Sequence, residues 1–203
     1  MPEPLRGQFL VHLRFTHLGG AARGEELLAP MRGLAAPVLD MVGDLPYAAL
    51  DSIHMDPPDP LPYCYEGTTL TDLPEDAVDA VLAVAGPGVD APLAMVEIRQ
   101  LGGAFGRPAA VPDAVAQRSA AYLGFVLGVP VGPGAEAVPG AVRSVVDALA
   151  PWATGSALLN FLGAAVPQRL RALWGEPDRE RLCAVKRRYD PTNLFAFGQD
   201  LVS

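Results

Sequence analysis

Leu93-Ala94-Met95-Val96-Glu97-Ile98-Arg99-Gln100-Leu101 is the stretch on which the fold turns. Its side chains alternate in character, and in a strand alternate residues point to opposite faces. Ala94, Val96 and Ile98 make one set, small and apolar. Met95, Glu97 and Arg99 make the other. A strand patterned in this way has one face for a core and one for something polar, as antiparallel sheets commonly do.

The same alternation extends outward along the chain. Gln8–Phe15 places Phe9, Val11, Leu13 and Phe15 opposite His12 and Arg14. Tyr63–Leu70 is extended and aromatic, and Pro37–Val42, Ala120–Val129 and Gly155–Leu162 complete the predicted strands. In Ala120–Val129, Tyr122 opposes Leu123 and Phe125; in Gly155–Leu162, Leu158 and Asn160 oppose Leu159 and Phe161. Helices are predicted at Gly20–Leu34, Pro46–Ile53, Pro74–Ala85, Ala135–Leu149, Pro167–Trp174 and Pro177–Tyr189. The helix at Pro74 has proline at its start, acids in its first turn and Gly86 beyond its end. Asp56–Pro62, with four prolines, is a loop. Strands and helices mix without strict alternation, and there is no glycine-rich strand-to-helix turn of dinucleotide-binding type. The reading is α+β: an antiparallel sheet with helices on one face and the other free for a ligand or partner.

Composition bounds the function. The 203 residues are 50% hydrophobic and 19% charged, enough for a sizeable core. Fifteen Lys and Arg against 23 Asp and Glu leave a formal charge of −8, which opposes binding to a phosphate backbone. No apolar run reaches the roughly 18 residues of a membrane span, and Met1–Arg6 is not the start of a signal peptide. Two cysteines, Cys64 and Cys183, make neither a disulfide framework nor a metal site, and they fit a reducing, cytoplasmic setting.

If the strands are neighbours, one sheet face gathers His12, Arg14, Glu97, Arg99, Tyr122 and Asn160. Glu97 or His12 could act there as a general base. Equally, Glu97 and Arg99 could be a solvated ion pair of little energetic weight. Tyr63 and Tyr65 either line a pocket or cap the core, since a buried tyrosine needs a partner for its hydroxyl in both cases. His17 and His54 stand apart from any set of metal ligands.

The tail is the most specific segment. Arg181-Leu182-Cys183-Ala184-Val185-Lys186-Arg187-Arg188-Tyr189-Asp190-Pro191-Thr192-Asn193-Leu194-Phe195, followed by Phe197-Gly198-Gln199, resembles the C-terminal signature of the berberine-bridge-enzyme-like flavoproteins. These are FAD-linked oxidoreductases of the vanillyl-alcohol-oxidase type. Leu159-Asn160-Phe161-Leu162, Glu97 to Ala104, Leu45-Pro46-Tyr47 and Arg14 to Gly19 are similar to further motifs of that family. The resemblance covers nearly the whole chain but only the C-terminal part of the family's architecture.

What the resemblance implies is specific. Residues 1–162 form a substrate-type domain, and 163–203 form a helical segment and tail that dock on a flavin domain supplied elsewhere. Asn160 and Asn193 lie near FAD; Glu97 and Tyr122 are the catalytic candidates; His12, Arg14, Arg99, Tyr63 and Tyr65 meet a small organic substrate. A substrate C–H passes a hydride to the flavin, and O2 reoxidises it. Two departures weigh against a typical alcohol-oxidising mechanism: Leu158 stands where the family often has a tyrosine base, and Gly67 where it often has a lysine. Two alternatives remain. One is a flavin-free homodimer with Glu97 as base and Arg14 or Arg99 holding a carboxylate. The other is a non-catalytic binding or accessory protein.

Overall fold

The computed structural model describes residues 7–54, 59–163 and 167–196. Phe197-Gly198-Gln199, Met1–Arg6 and part of the Asp56–Pro62 loop lie outside the described residues. The chain divides into two compact units, one within Met1–Pro60 and the other within Leu61–Ser203. Residues on both sides of position 162 thus fall in the second unit.

In the first unit, helix α1 spans Ala21–Arg32 and buries Leu28. Its last residue, Arg32, donates to Asp40 at 2.7 Å and to the Val42 carbonyl at 3.2 Å, so the segment 40–42 is tied back to the helix. A 3₁₀ helix follows at Tyr47–Ile53. The strands expected at Gln8–Phe15 and Pro37–Val42 are not formed. Alternation is not enough for a strand, which needs a hydrogen-bonded neighbour to satisfy its backbone. The stripe of Gln8–Phe15 is instead largely exposed, with Val11 at 90%.

The second unit carries the sheet. Strands β1 (Cys64–Leu70), β2 (Met95–Gln100) and β3 (Tyr122–Gly128) stand in the order β1-β3-β2, and both outer strands are antiparallel to β3. β1 and β2 are therefore parallel to each other with β3 between them. A parallel pair needs a crossover, and helix α2 (Glu75–Ala85) supplies it. Helix α3 (Val138–Ala148) follows β3. Leu70 and Val126 from the sheet meet Val138, Val142, Val145 and Leu149 in the main core, and Val81, Val84, Val96 and Tyr122 pack around it. The valines of α3 recur at three- and four-residue spacing, which gives the helix one apolar stripe.

The register decides which residues share a face. Glu97 stands opposite Phe125, which stands opposite Gly67; Arg99 stands opposite Leu123, which stands opposite Thr69. Directly opposed residues project to the same side. Glu97, Arg99, Leu123, Phe125, Tyr65 and Gly67 thus occupy the face away from α3. Tyr122 stands opposite Gln100 and Leu70 and belongs to the helix-covered face. This corrects the expectation that Tyr122 joins Glu97 and Arg99. Alternation orders residues within one strand, but it does not say which of the two sets lines up with a neighbour's.

The segment expected to be a strand at Gly155–Leu162 is different again. Thr154 donates its N–H to Thr69 O (2.8 Å), Thr69 donates to Ser156 O (3.0 Å), and Thr71 donates to Trp152 O (3.0 Å). Residues 152–156 therefore cover the outer edge of β1, which would otherwise leave unpaired N–H and C=O groups. Gly155 then adopts φ +81°, a left-handed conformation that ends the extended run. The chain turns inward as a 3₁₀ turn at Leu159–Phe161.

Helix α4 (Pro167–Arg171) and helix α5 (Glu176–Tyr189) complete the unit. Leu170 and Leu173 join Ala157 and Leu162 in a second, smaller core.

Candidate functional site

The sheet face away from α3 is walled on its β1 side by the 3₁₀ turn. Gly67 makes this fit close: a Cβ there would stand 2.5 Å from the Phe161 carbonyl oxygen and 3.0 Å from the Phe161 Cβ. Only glycine lets the turn lie against the strand, so the position where the resemblance expects a lysine is filled here by backbone.

A line of aromatic rings results. Tyr63 and Tyr65 have centroids 5.6 Å apart, Tyr65 and Phe125 5.7 Å, and Phe125 and Phe161 5.2 Å in a near-perpendicular arrangement. Such edge-to-face contacts suit the ring quadrupoles. At the far end the Arg99 guanidinium lies 5.1 Å from the centre of the Phe161 ring, a cation–π contact. Arg99 also donates from Nε (2.9 Å) and Nη2 (2.6 Å) to Oε1 of Glu97, two residues away on the same strand face. The pair is neither fully solvated nor buried, with side chains 41% and 21% exposed. Its cation is oriented from two sides, by a carboxylate and by a ring.

Beyond Arg99 lies a shallow depression of about 510 Å³, lined by Arg99, Leu101, Gly102, Gly103, Phe105 and Leu158 among others. Gly102 (φ +123°) and Gly103 (φ +53°) turn the chain sharply out of β2, and no atom lies within 4 Å of where their Cβ atoms would be. Phe105 is held by Arg118, which donates to its carbonyl at 2.6 Å, lies over its ring at 5.6 Å and pairs with Asp113. Trp174 donates its indole N–H to Ala114 O at 2.8 Å and so ties the C-terminal segment to this loop.

Behind β1, the buried Glu66 (6% exposed) pairs with Arg169 at 2.6 Å and Arg143 at 3.0 Å. Arg169 also donates to Gly67 O at 2.8 Å. One carboxylate thus joins β1, α3 and α4, and it fixes the wall of the site from behind. A lone acid in the apolar run of β1 was the sequence signal for this cluster, but its partners lie 77 and 103 residues further on.

Within the second unit the register places the expected site residues. Glu97, Arg99, Tyr63 and Tyr65 come together, joined by Phe125 and Phe161, which the sequence reading placed on the side opposite Tyr122 and Asn160. Tyr122 is on the other face. Asn160 is exposed on the 3₁₀ turn rather than on a strand. His12 and Arg14 belong to the first unit and to no strand.

Asn193 sits in the turn after α5 with φ +54°, a left-handed conformation that asparagine tolerates better than most residues. That turn is organised by Asp190. Its carboxylate accepts the N–H groups of Leu194 (2.7 Å) and Phe195 (3.2 Å) and the Lys186 ammonium. The ammonium is the chief cause that holds this carboxyl below the usual aspartate range. The spacing of Lys186, Asp190 and Asn193 thus has a local structural reason. Among the described residues no group of three or more His, Cys, Asp or Glu could hold a metal ion, and no helix is long and apolar enough to cross a membrane.

Comparison with known proteins bears on the fold. Residues 157–201 match the family described as berberine and berberine like. No curated protein matches the chain in sequence. Among solved structures, wild-type BBE-like 1 of Physcomitrella patens is similar with a TM-score of 0.67 and 18% identity, over 86% of this chain and 41% of that one. A variant of the same moss protein matches equally. The 6-hydroxy-D-nicotine oxidase of Arthrobacter nicotinovorans is similar with a TM-score of 0.64 and 22% identity, over 87% of this chain and 41% of that one. The chain thus spans about two fifths of the length of each of these structures, and across most of its own length it has the fold of that part of them.

Proposed function

We propose that this chain forms the substrate side of an FAD-linked oxidoreductase, its aromatic sheet face laid towards a flavin held by a domain outside these 203 residues. The observation that carries the reading is that the segment matching the berberine-like family, 157–201, is the one that walls the site. Its turn at Leu159–Phe161 closes on Gly67 and places Phe161 between Phe125 and Arg99.

The residues present fit such a group. Tyr65, Phe125 and Phe161 offer ring surface to a flat aromatic ligand. Asn160, exposed on the same turn, would hold a polar flavin edge, since an amide offers both a donor and an acceptor. When bound, the flavin supplies the acceptor for a hydride from a substrate C–H, and O2 restores it.

The chain's own work is binding and proton transfer. Glu97 takes the proton that the substrate releases at a carboxylate oxygen, while Arg99 holds its Oε1 in place. Leu158, in the wall of the depression, carries no proton, and Tyr122 faces the helices; the base is Glu97. The aromatic rings shield the reacting atoms from water.

The test is spectroscopic. Purified chain is titrated with FAD and with riboflavin, and flavin fluorescence and visible absorbance are followed. Saturable quenching that Phe161→Ala and Asn160→Ala weaken is the expected result. A chain that leaves the fluorescence of both flavins unchanged overturns the proposal that this face itself contacts the flavin.

A further inference from the structure

The guanidinium of Arg99 has more donors than Glu97 uses. Of its five N–H groups, the one on Nε and one on Nη2 go to a single oxygen of Glu97. Nη1 makes no hydrogen bond among the described residues, which leaves one end of the planar fork without an acceptor among them. Arg99 is the charged residue lining the depression formed with Leu101, Gly102, Gly103, Phe105 and Leu158.

Three features make this more than a surface arginine. The guanidinium is pre-oriented by the Glu97 carboxylate on one edge and the Phe161 ring on its face, so a ligand need not pay to order it. The floor beside it is Gly102-Gly103, where no Cβ narrows the approach and both residues hold left-handed conformations. Of the remaining lining, Leu101, Phe105 and Leu158 are apolar and Gln100 is polar and uncharged, and Phe105 is itself locked by Arg118.

We infer that this depression is an anion subsite, built for a small ligand with a carboxylate on a flat apolar body. The fork end of Arg99 takes the carboxylate, for which planar two-pronged donation is the best match among side chains. Phe105 and Leu158 take the apolar body. Glu97 offsets the charge of Arg99 and rejects a second anion beside it, so the site prefers a monoanion. The inference shares its residues with the proposed function and rests on that site, but it does not require a flavin.

The experiment therefore uses none. The chain is titrated with benzoate, with the neutral benzamide of the same shape, and with inorganic phosphate, each by calorimetry at low and high ionic strength. Benzoate is expected to bind saturably, with benzamide weaker by at least about tenfold and the benzoate affinity falling with salt. Phosphate is expected to bind more weakly than benzoate, because it leaves the apolar walls unused. Arg99→Gln should abolish the preference for benzoate over benzamide, and Arg99→Lys should restore it only in part. Phe105→Ala should weaken both ligands together. Far-UV circular dichroism of each variant confirms that it is folded.

Equal binding of benzoate and benzamide overturns the anion subsite, as does unchanged benzoate binding in Arg99→Gln. Phosphate binding as tight as benzoate overturns the aromatic-carboxylate assignment. Absence of benzoate binding overturns the whole inference. Benzoate bound by a chain that ignores flavins leaves the subsite standing and removes direct flavin contact by this face; the reverse result removes the subsite alone.

Discussion

Replacing Gly67 by alanine tests whether the 3₁₀ turn is seated on β1. The added methyl would stand 2.5 Å from the Phe161 carbonyl oxygen, where ordinary contact begins at 3.4 Å. The obstacle is backbone, so the turn must retreat by most of an ångström. Overpacking of this kind costs about 1–3 kcal/mol. Alanine in a strand recovers about 0.5–1 kcal/mol over glycine, which leaves a net loss of about 0–2.5 kcal/mol, centred a little above 1.

Gly124→Ala is the matched control. Its methyl would meet Leu149 Cδ1 at 2.9 Å, a side-chain methyl of the core rather than backbone. Its stability should stay within about 1 kcal/mol of the parent. Urea unfolding followed by tryptophan fluorescence reads the difference. Both tryptophans, Trp152 and Trp174, lie in the second unit and report on it alone. With a slope of about 2 kcal/mol per molar urea, the Gly67→Ala midpoint should fall by about 0.5 M. The displaced turn should also carry Phe161 off Arg99 and weaken benzoate binding, which Gly124→Ala should leave unchanged. A Gly67→Ala protein as stable as its parent and unchanged in benzoate binding, or a larger loss in Gly124→Ala, would refute the seating of the turn on the strand.

Two further outcomes concern the tail. The Asp190 carboxyl is held low chiefly by Lys186, so the native state binds fewer protons there than the unfolded chain does. Its stabilising contribution is complete above the ordinary aspartate value of about 3.9 and disappears as pH falls through the lowered native value. Asp190→Asn should therefore narrow its stability gap to the parent as urea midpoints are taken from about pH 6 to about pH 3; a gap that stays constant would contradict the assignment. Asn193 holds φ +54°, so Asn193→Gly should unfold within about 0.5 kcal/mol of the parent, whereas Asn193→Val should lose about 1–2 kcal/mol. Equal losses from the two variants would show that the side chain, not the backbone conformation, is what the turn needs.

Periodicity located the elements with a clear neighbour. The helix at Pro74, the strand around Glu97 and the strand around Phe125 were legible because each carries its own signal: a capped apolar stripe or a period of two. Glu97 and Arg99 were legible as a pair for the same reason, since two residues apart on a strand is always one face. Gln8–Phe15 shows the limit. It has the alternation, but the backbone hydrogen bonds that make a strand come from another segment, and nothing local reveals whether one will be there. Gly155 shows another limit: it opens the predicted strand, but its left-handed φ of +81° breaks the extended run there, which alternation cannot show.

By itself, the sequence determined an α+β chain, the Glu97–Arg99 pair, and a tail that resembles the berberine-like signature. It could do so because these depend on local spacing and on side-chain chemistry. Only the tertiary structure decided that Tyr122 faces the helices and that Phe125 and Phe161 complete the site. Those outcomes depend on strand register and on a contact between positions 67 and 161. Register is a relation between strands. It is set by how the whole apolar surface packs, and no single strand carries it.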